Sequence, residues 1–209
     1  MKKQLITFFL AIILCSTAKV SAQEMQTLFD NDITHGGFAG PVVKFDNIND
    51  EFGVWVGGRG GWIINMGDLH AISFGGGGYG LATNHIIPSP EDVDINGETD
   101  DLLATTGYGG FIMEYTNRSY RLLHMTAHTL IGAGGMTIRE RNFDEVNDDP
   151  QAYFVIEPGL NAELNVTSFF RVAAGANYRL TSGISKAGLR DSDFSGFNAT
   201  LTFKFGHFR

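Results

Sequence analysis

The carboxyl-terminal stretch constrains this chain most. From Phe197 onward, Phe197, Ala199, Leu201, Phe203 and Phe205 alternate with Asn198, Thr200, Thr202, Lys204 and Gly206. Successive side chains of a strand point to opposite faces, so one face is apolar and aromatic while the other is polar and small. At the end of an exported chain, such a strand suggests a barrel whose lipid-facing band alternates with a wet lumen.

The amino terminus supports export. Lys2 and Lys3 precede an apolar run from Leu5 to Leu14, and Val20, Ser21 and Ala22 form a small-residue cleavage site. That is the layout of a signal peptide, and its apolar run falls well short of the roughly twenty residues a spanning helix needs. Bulky Leu14 before Cys15 argues against a lipoprotein site. The expected organisation is a cleaved signal peptide over 1–22, a periplasmic N-terminal segment over 23–34 and a barrel domain over 35–209. Cys15, the only cysteine, leaves with the leader. The mature chain then has no disulfide or thiol chemistry to use. Losing Lys2, Lys3 and Lys19 makes the formal charge more negative than the -8 of the whole chain. Nucleic acid is a poor partner for so acidic a protein. No later segment is apolar for long enough to form a spanning helix, so any membrane span consists of strands.

Glycine and Asx clusters divide the mature chain into eight strands, near 36–46, 52–64, 70–84, 102–116, 120–136, 152–164, 169–180 and 195–208. The turns at 65–69, 117–119 and 165–168 are short, whereas the loops 85–101, 139–151 and 181–194 are long and polar. Short and long connections fall on opposite ends of one meander, as in outer-membrane barrels with brief periplasmic turns. Parity assigns the faces. Phe154, Ile156, Leu160, Ala162 and Leu164 oppose Tyr153, Glu157, Asn161 and Glu163. On neighbouring strands, Val172 and Tyr178 oppose Arg171 and Arg179, and Leu123 and Met125 oppose His124 and His128. Val54, Val56 and Trp62 likewise oppose Trp55 and Arg59. A soluble lipocalin-like barrel would crowd the apolar set into an interior only just wide enough for side chains. The aromatic residues near strand ends favour lipid.

Pro41 and Pro158 interrupt strands and cannot donate to the ladder, so each is expected at a bulge or a misplaced boundary. The glycine runs at 57–61 and 75–78 suit strands that coil sharply. They lack the Lys-Ser/Thr and helix of a phosphate cradle.

The leader, the eight-strand rhythm and the Phe-rich last strand together resemble the small outer-membrane β-barrel family of Gram-negative bacteria. The resemblance covers the whole mature chain. It implies an all-β fold, an eight-stranded antiparallel up-and-down transmembrane β-barrel in the outer membrane. It also implies contact with outer-membrane lipid and lipopolysaccharide, and recognition of a terminal aromatic by the assembly machinery, for which Phe208 is the nearest match. Members of the family include structural proteins, adhesins, narrow pores and lipid-modifying enzymes, so the fold does not choose among activities.

Three groups of residues are candidates for chemistry. Lys44, Arg59, Glu114, Glu157, Glu163, Arg171, Arg179 and Lys204 share the inward face and are expected to pair into a charge network that fills the lumen. Glu163 and Arg171 flank one short turn and should lie nearly opposite each other. His124, Thr126 and His128, with Glu140 on the same strand, hint at a hydrolytic set. That set faces the lumen, away from any lipid substrate, and the two His are about 13 Å apart along a strand, too far to share a metal. Asp92, Asp94, Asn96 and Asp100 have the alternating oxygens of a weak calcium loop, but Leu103 stands where its bidentate Glu belongs. The expected protein is a monomeric, non-enzymatic outer-membrane barrel without cofactor, with a structural or surface-interaction role and a plugged polar lumen. A lipid-modifying barrel enzyme is the alternative, and a soluble exported barrel comes third.

Overall fold

The computed structural model describes residues 33–48, 51–67, 69–86, 102–140, 150–185 and 188–208. The leader, most of the segment 23–34 and the acidic loop holding Asp92, Asp94, Asn96 and Asp100 lie outside the described residues. The strands are β1 (Ile33–Ile48), β2 (Glu51–Met66), β3 (His70–Leu81), the two-residue β4 (His85–Ile86), β5 (Leu102–Asn117), β6 (Leu123–Glu140), β7 (Gln151–Asn165), β8 (Phe170–Ser182) and β9 (Gly196–His207). One short helix, α1 (Asp191–Phe194), precedes β9.

Eight long strands pair antiparallel with their sequence neighbours, and β1 pairs with β9 to close the ring. Each strand overlaps the range expected from its alternation, and the ends differ by a few residues. The strand β6 begins at Leu123 and not at 120 because 118–122 forms a turn. Arg118 takes a left-handed conformation there (φ 57°), and Arg121 N–H donates to its carbonyl at 2.9 Å. Asn165 Nδ2 secures the same turn by donating to the Ser119 and Arg121 carbonyls at 2.9 and 2.7 Å.

Neither proline makes a bulge or ends a strand, which corrects the sequence expectation. Pro41 lies within β1 and Pro158 within β7. The β1–β9 ladder lapses between Ala39↔Phe205 and Val42↔Thr202, and the β7–β8 ladder between Ile156↔Leu180 and Gly159↔Asn177. Register is the same on both sides of each gap. The missing N–H therefore opens the seam locally, while the pairing of flanking residues holds the strands in line.

Side-chain polarity is inverted relative to a soluble protein. Phe154, Leu160, Leu123, Met125, Trp62 and Phe197 are exposed, whereas Lys44, Arg59, Glu157, Glu163 and Arg179 are buried. Eight strands leave an interior just wide enough for side chains. Inward glycines help the strands coil that tightly. A Cβ at Gly57 or Gly75 would run into the backbone of the adjoining strand. No helix among the described residues is long and apolar enough to cross a membrane.

Leu201 sits on the outward face near the middle of β9. Replacing it by Arg places a charge in hydrocarbon and should cost about 2–4 kcal/mol near the bilayer midplane. Denaturant unfolding in lipid vesicles checks this, with inward Thr202→Ser as the mild control.

Candidate functional site

The inward face carries the only dense chemistry among the described residues, and it divides into two ionic layers and one apolar layer. Nearer the short turns, Lys204 Nζ donates to Glu114 Oε1 at 2.5 Å and to Glu163 Oε2 at 2.6 Å. Arg59 stands 3.2 Å from the second Glu114 oxygen, and Arg171 Nη1 donates to Glu163 Oε1 at 3.0 Å. Glu163 and Arg171 are diagonal neighbours and not opposed as expected. The register places Asn165 across from Arg171 on one side and Lys204 on the other. That offset lets a single Glu163 carboxylate serve both Arg171 and Lys204.

The second ionic layer lies toward the long loops. Lys44 Nζ donates to Glu157 Oε1 at 2.5 Å, and Tyr108 O–H donates to the other Glu157 oxygen at 2.5 Å. Asn177 Nδ2 adds a third bond to Glu157 at 3.0 Å. Arg179 Nη2 pairs with Asp46 Oδ2 at 2.5 Å, and Trp55 Nε1 donates to the same oxygen at 2.9 Å. Aromatic faces cover the cations. Lys44 sits 3.5 Å from the Tyr79 ring centroid, and Arg179 sits 4.5 Å from that of Trp55. Ring quadrupoles add attraction where water is excluded.

Asp46, Tyr108 and Trp55 belong to this network although sequence reasoning left them out of it. Asp46 shares the parity of Lys44 on β1, so the alternation contained the signal. With Asp46 included, five cations face four carboxylates. A buried carboxylate or ammonium is tolerable only with partners, and each carboxylate here has at least two.

The apolar layer lies at the end nearest the long loops. Trp55, Met136, Ile138, Tyr153 and Val155 of the inner wall pack with Ile184, Leu189 and Phe194 of the segment after β8. The 181–194 stretch was expected to be a polar loop. Its Ile184, Leu189 and Phe194 are instead buried against the inner wall. Arg179 Nε donates to the Phe194 carbonyl at 2.6 Å, and Thr181 Oγ1 donates to the Asp191 carbonyl at 2.8 Å. Asp191 Oδ1 accepts from Ile184 N–H at 2.7 Å, which folds the segment back on itself.

At the opposite end Phe208 turns inward, buried, with Arg171 3.8 Å from its ring centroid. It is the residue that the resemblance matched to the terminal aromatic of the last strand. The last outward aromatic is Phe205, because Gly206 and His207 follow it on β9 and Phe208 lies past the strand. His124 and His128 are buried on the inward face as their parity requires. The ring nitrogens of His124 lie 3.1 Å from the Arg121 carbonyl and 3.3 Å from Glu163. His128 Nδ1 lies 3.2 Å from Asn161 Nδ2. No group of three or more metal-ligating side chains occurs among the described residues.

Glu163→Gln should destabilise the barrel by about 3–5 kcal/mol, because it leaves Lys204 and Arg171 with a weaker acceptor inside a closed wall. Adding Lys204→Met should restore part of that loss. Equilibrium unfolding of the two variants beside the parent measures both.

No protein-family model matches the chain, and no curated protein matches it in sequence. Solved structures match it in fold. Ail, the attachment invasion locus protein of Yersinia pestis, was solved with the heparin analogue sucrose octasulfate. It is 11% identical with a TM-score of 0.48, over 82% of this chain and 95% of that one. Neisserial surface protein A is 8% identical with a TM-score of 0.46, over 83% and 96%. In its own geometry, this chain has a ring with no free edge, an apolar outer wall and a charged interior, an arrangement at home in hydrocarbon. It is an eight-stranded antiparallel β-barrel of the outer-membrane type.

Proposed function

We propose that the protein is a non-enzymatic, monomeric outer-membrane barrel whose lumen is plugged and whose role is structural or surface-interacting. The observation that carries this reading is the set of long charged and aromatic side chains buried on the inward face. Two ionic layers and one apolar layer lie there, and two of the spaces left beside the ionic residues have volumes of about 10 Å³ each. Each such space has room for about one water. The partners that follow are membrane lipid around the wall and lipopolysaccharide on the long-loop side, with the assembly machinery during insertion. A closed ladder offers no strand edge to another copy, which favours a monomer.

The competing reading, a lipid-modifying enzyme, needs a nucleophile and base open to the bilayer. His124 and His128 face inward, where they meet Glu163, the Arg121 carbonyl and Asn161. These are packing and pairing contacts, and none of them is to a Ser or Thr hydroxyl. In planar-bilayer recordings the refolded protein should give no stable conductance, and Glu157→Ala with Lys44→Ala should raise brief leak events at most. Steady ion-selective channels from the parent protein would make the interior a passage and refute the plug.

A further inference from the structure

We propose that the outer wall holds one acyl chain of a lipid from the long-loop leaflet, in a diagonal groove that crosses the proline gap between β7 and β8. The groove encloses about 580 Å³, within the roughly 300–1,000 Å³ of ordinary ligand sites. Its floor is made of small or flat outward residues, Ala127 and Thr129 on β6, Pro158 on β7 and Ala176 on β8. Register explains the depression. Ala127 stands between Tyr115 and Leu160, and Thr129 stands beside Met113, so bulky neighbours rise along a low strip that continues from Thr129 onto Pro158.

The groove climbs the barrel. Its lower end lies at Met113 and Tyr115, toward the short-turn end of β5. Its upper end lies at Tyr178 and Phe197, whose rings meet edge to face at 4.8 Å. Phe197 is the second residue of β9 on the long-loop side and is 76% exposed. A chain entering beside Phe197 would run down past Ala176 and Pro158 toward Met113.

Hydrocarbon is the occupant because the groove is continuous with the bilayer-facing band. Most of its lining residues belong to the apolar wall, with the inward-facing Glu114, His128 and Asn177 also bordering it, and lipid is what reaches it from outside. The broken ladder adds a second reason. At Pro158 the β7–β8 pairing lapses, and the wall offers an irregular recess that a straight acyl chain can fill and a flat pleated surface cannot. Dispersion contacts over such a length are individually small and collectively large.

The test uses the full barrel refolded into phosphatidylcholine vesicles containing two photoreactive lipids, one with a diazirine near the glycerol and one with it near the chain end. Adducts mapped by mass spectrometry should be enriched several-fold on groove residues over outward Phe45 and Phe205. The glycerol-proximal probe should favour Phe197 and Tyr178, and the chain-end probe Met113. Ala176→Phe, or independently Thr129→Phe, fills the recess and should abolish the enrichment, while the heat-shift of the folded band on a gel stays unchanged. Adducts spread evenly round the wall would overturn the site, and the reverse probe order would overturn the leaflet.

Discussion

In a hydrocarbon layer every backbone N–H and C=O must find its partner within the protein, and the pairing of β1 with β9 meets that demand. Without that seam the sheet would present two unpaired edges to lipid. Closure also fixes the width of the interior, since eight strands leave space for side chains and little else. Inverted polarity follows from the same constraint. One face of every strand meets lipid, so the polar side chains have only each other inside.

Close confinement makes the interior ionic network selective about its membership. Glu163 can serve Lys204, Arg171 and His124 because three strands bring those groups to one level. Glu157 is held by a lysine, a phenol and an amide, and Asp46 by an arginine and an indole. The carbonyl of Phe194 accepts from Arg179, so the apolar layer is tied to the ionic layer beneath it. Loosening either layer therefore loosens the other. The two proline gaps are tolerated within this frame because register on both sides of each is maintained by continuous pairing.

Much of this was legible in the sequence, since strand alternation reports directly on a wall with one lipid face and one enclosed face. Val172 against Arg171 and Phe203 against Lys204 give their orientation by parity alone. Partner choice was harder to read, because it depends on the stagger between strands. Lys204 bridges Glu114 and Glu163 across long sequence separations, and no local pattern encodes that meeting. Asp46 carried the right parity and was passed over beside a loop. Phe194 was hidden for another reason. Its segment has no period, and its burial depends on the Arg179 and Thr181 contacts that fold it back. Phe208 matched the family's terminal aromatic only approximately, since Gly206 and His207 interrupt the alternation, and its place against Arg171 past the end of the strand has no local signal.

The two tryptophans lie on opposite faces of β2 and give the most direct test of inverted polarity. Trp55 is 0% exposed and bonded to Asp46, whereas Trp62 is 52% exposed on the outer wall. In vesicles whose acyl chains carry bromine, a Trp55→Phe protein should lose most of its emission to quenching of Trp62. A Trp62→Phe protein should keep its emission, because Trp55 is shielded inside the wall. Quenching of Trp55 with Trp62 left bright would contradict the inside-out barrel.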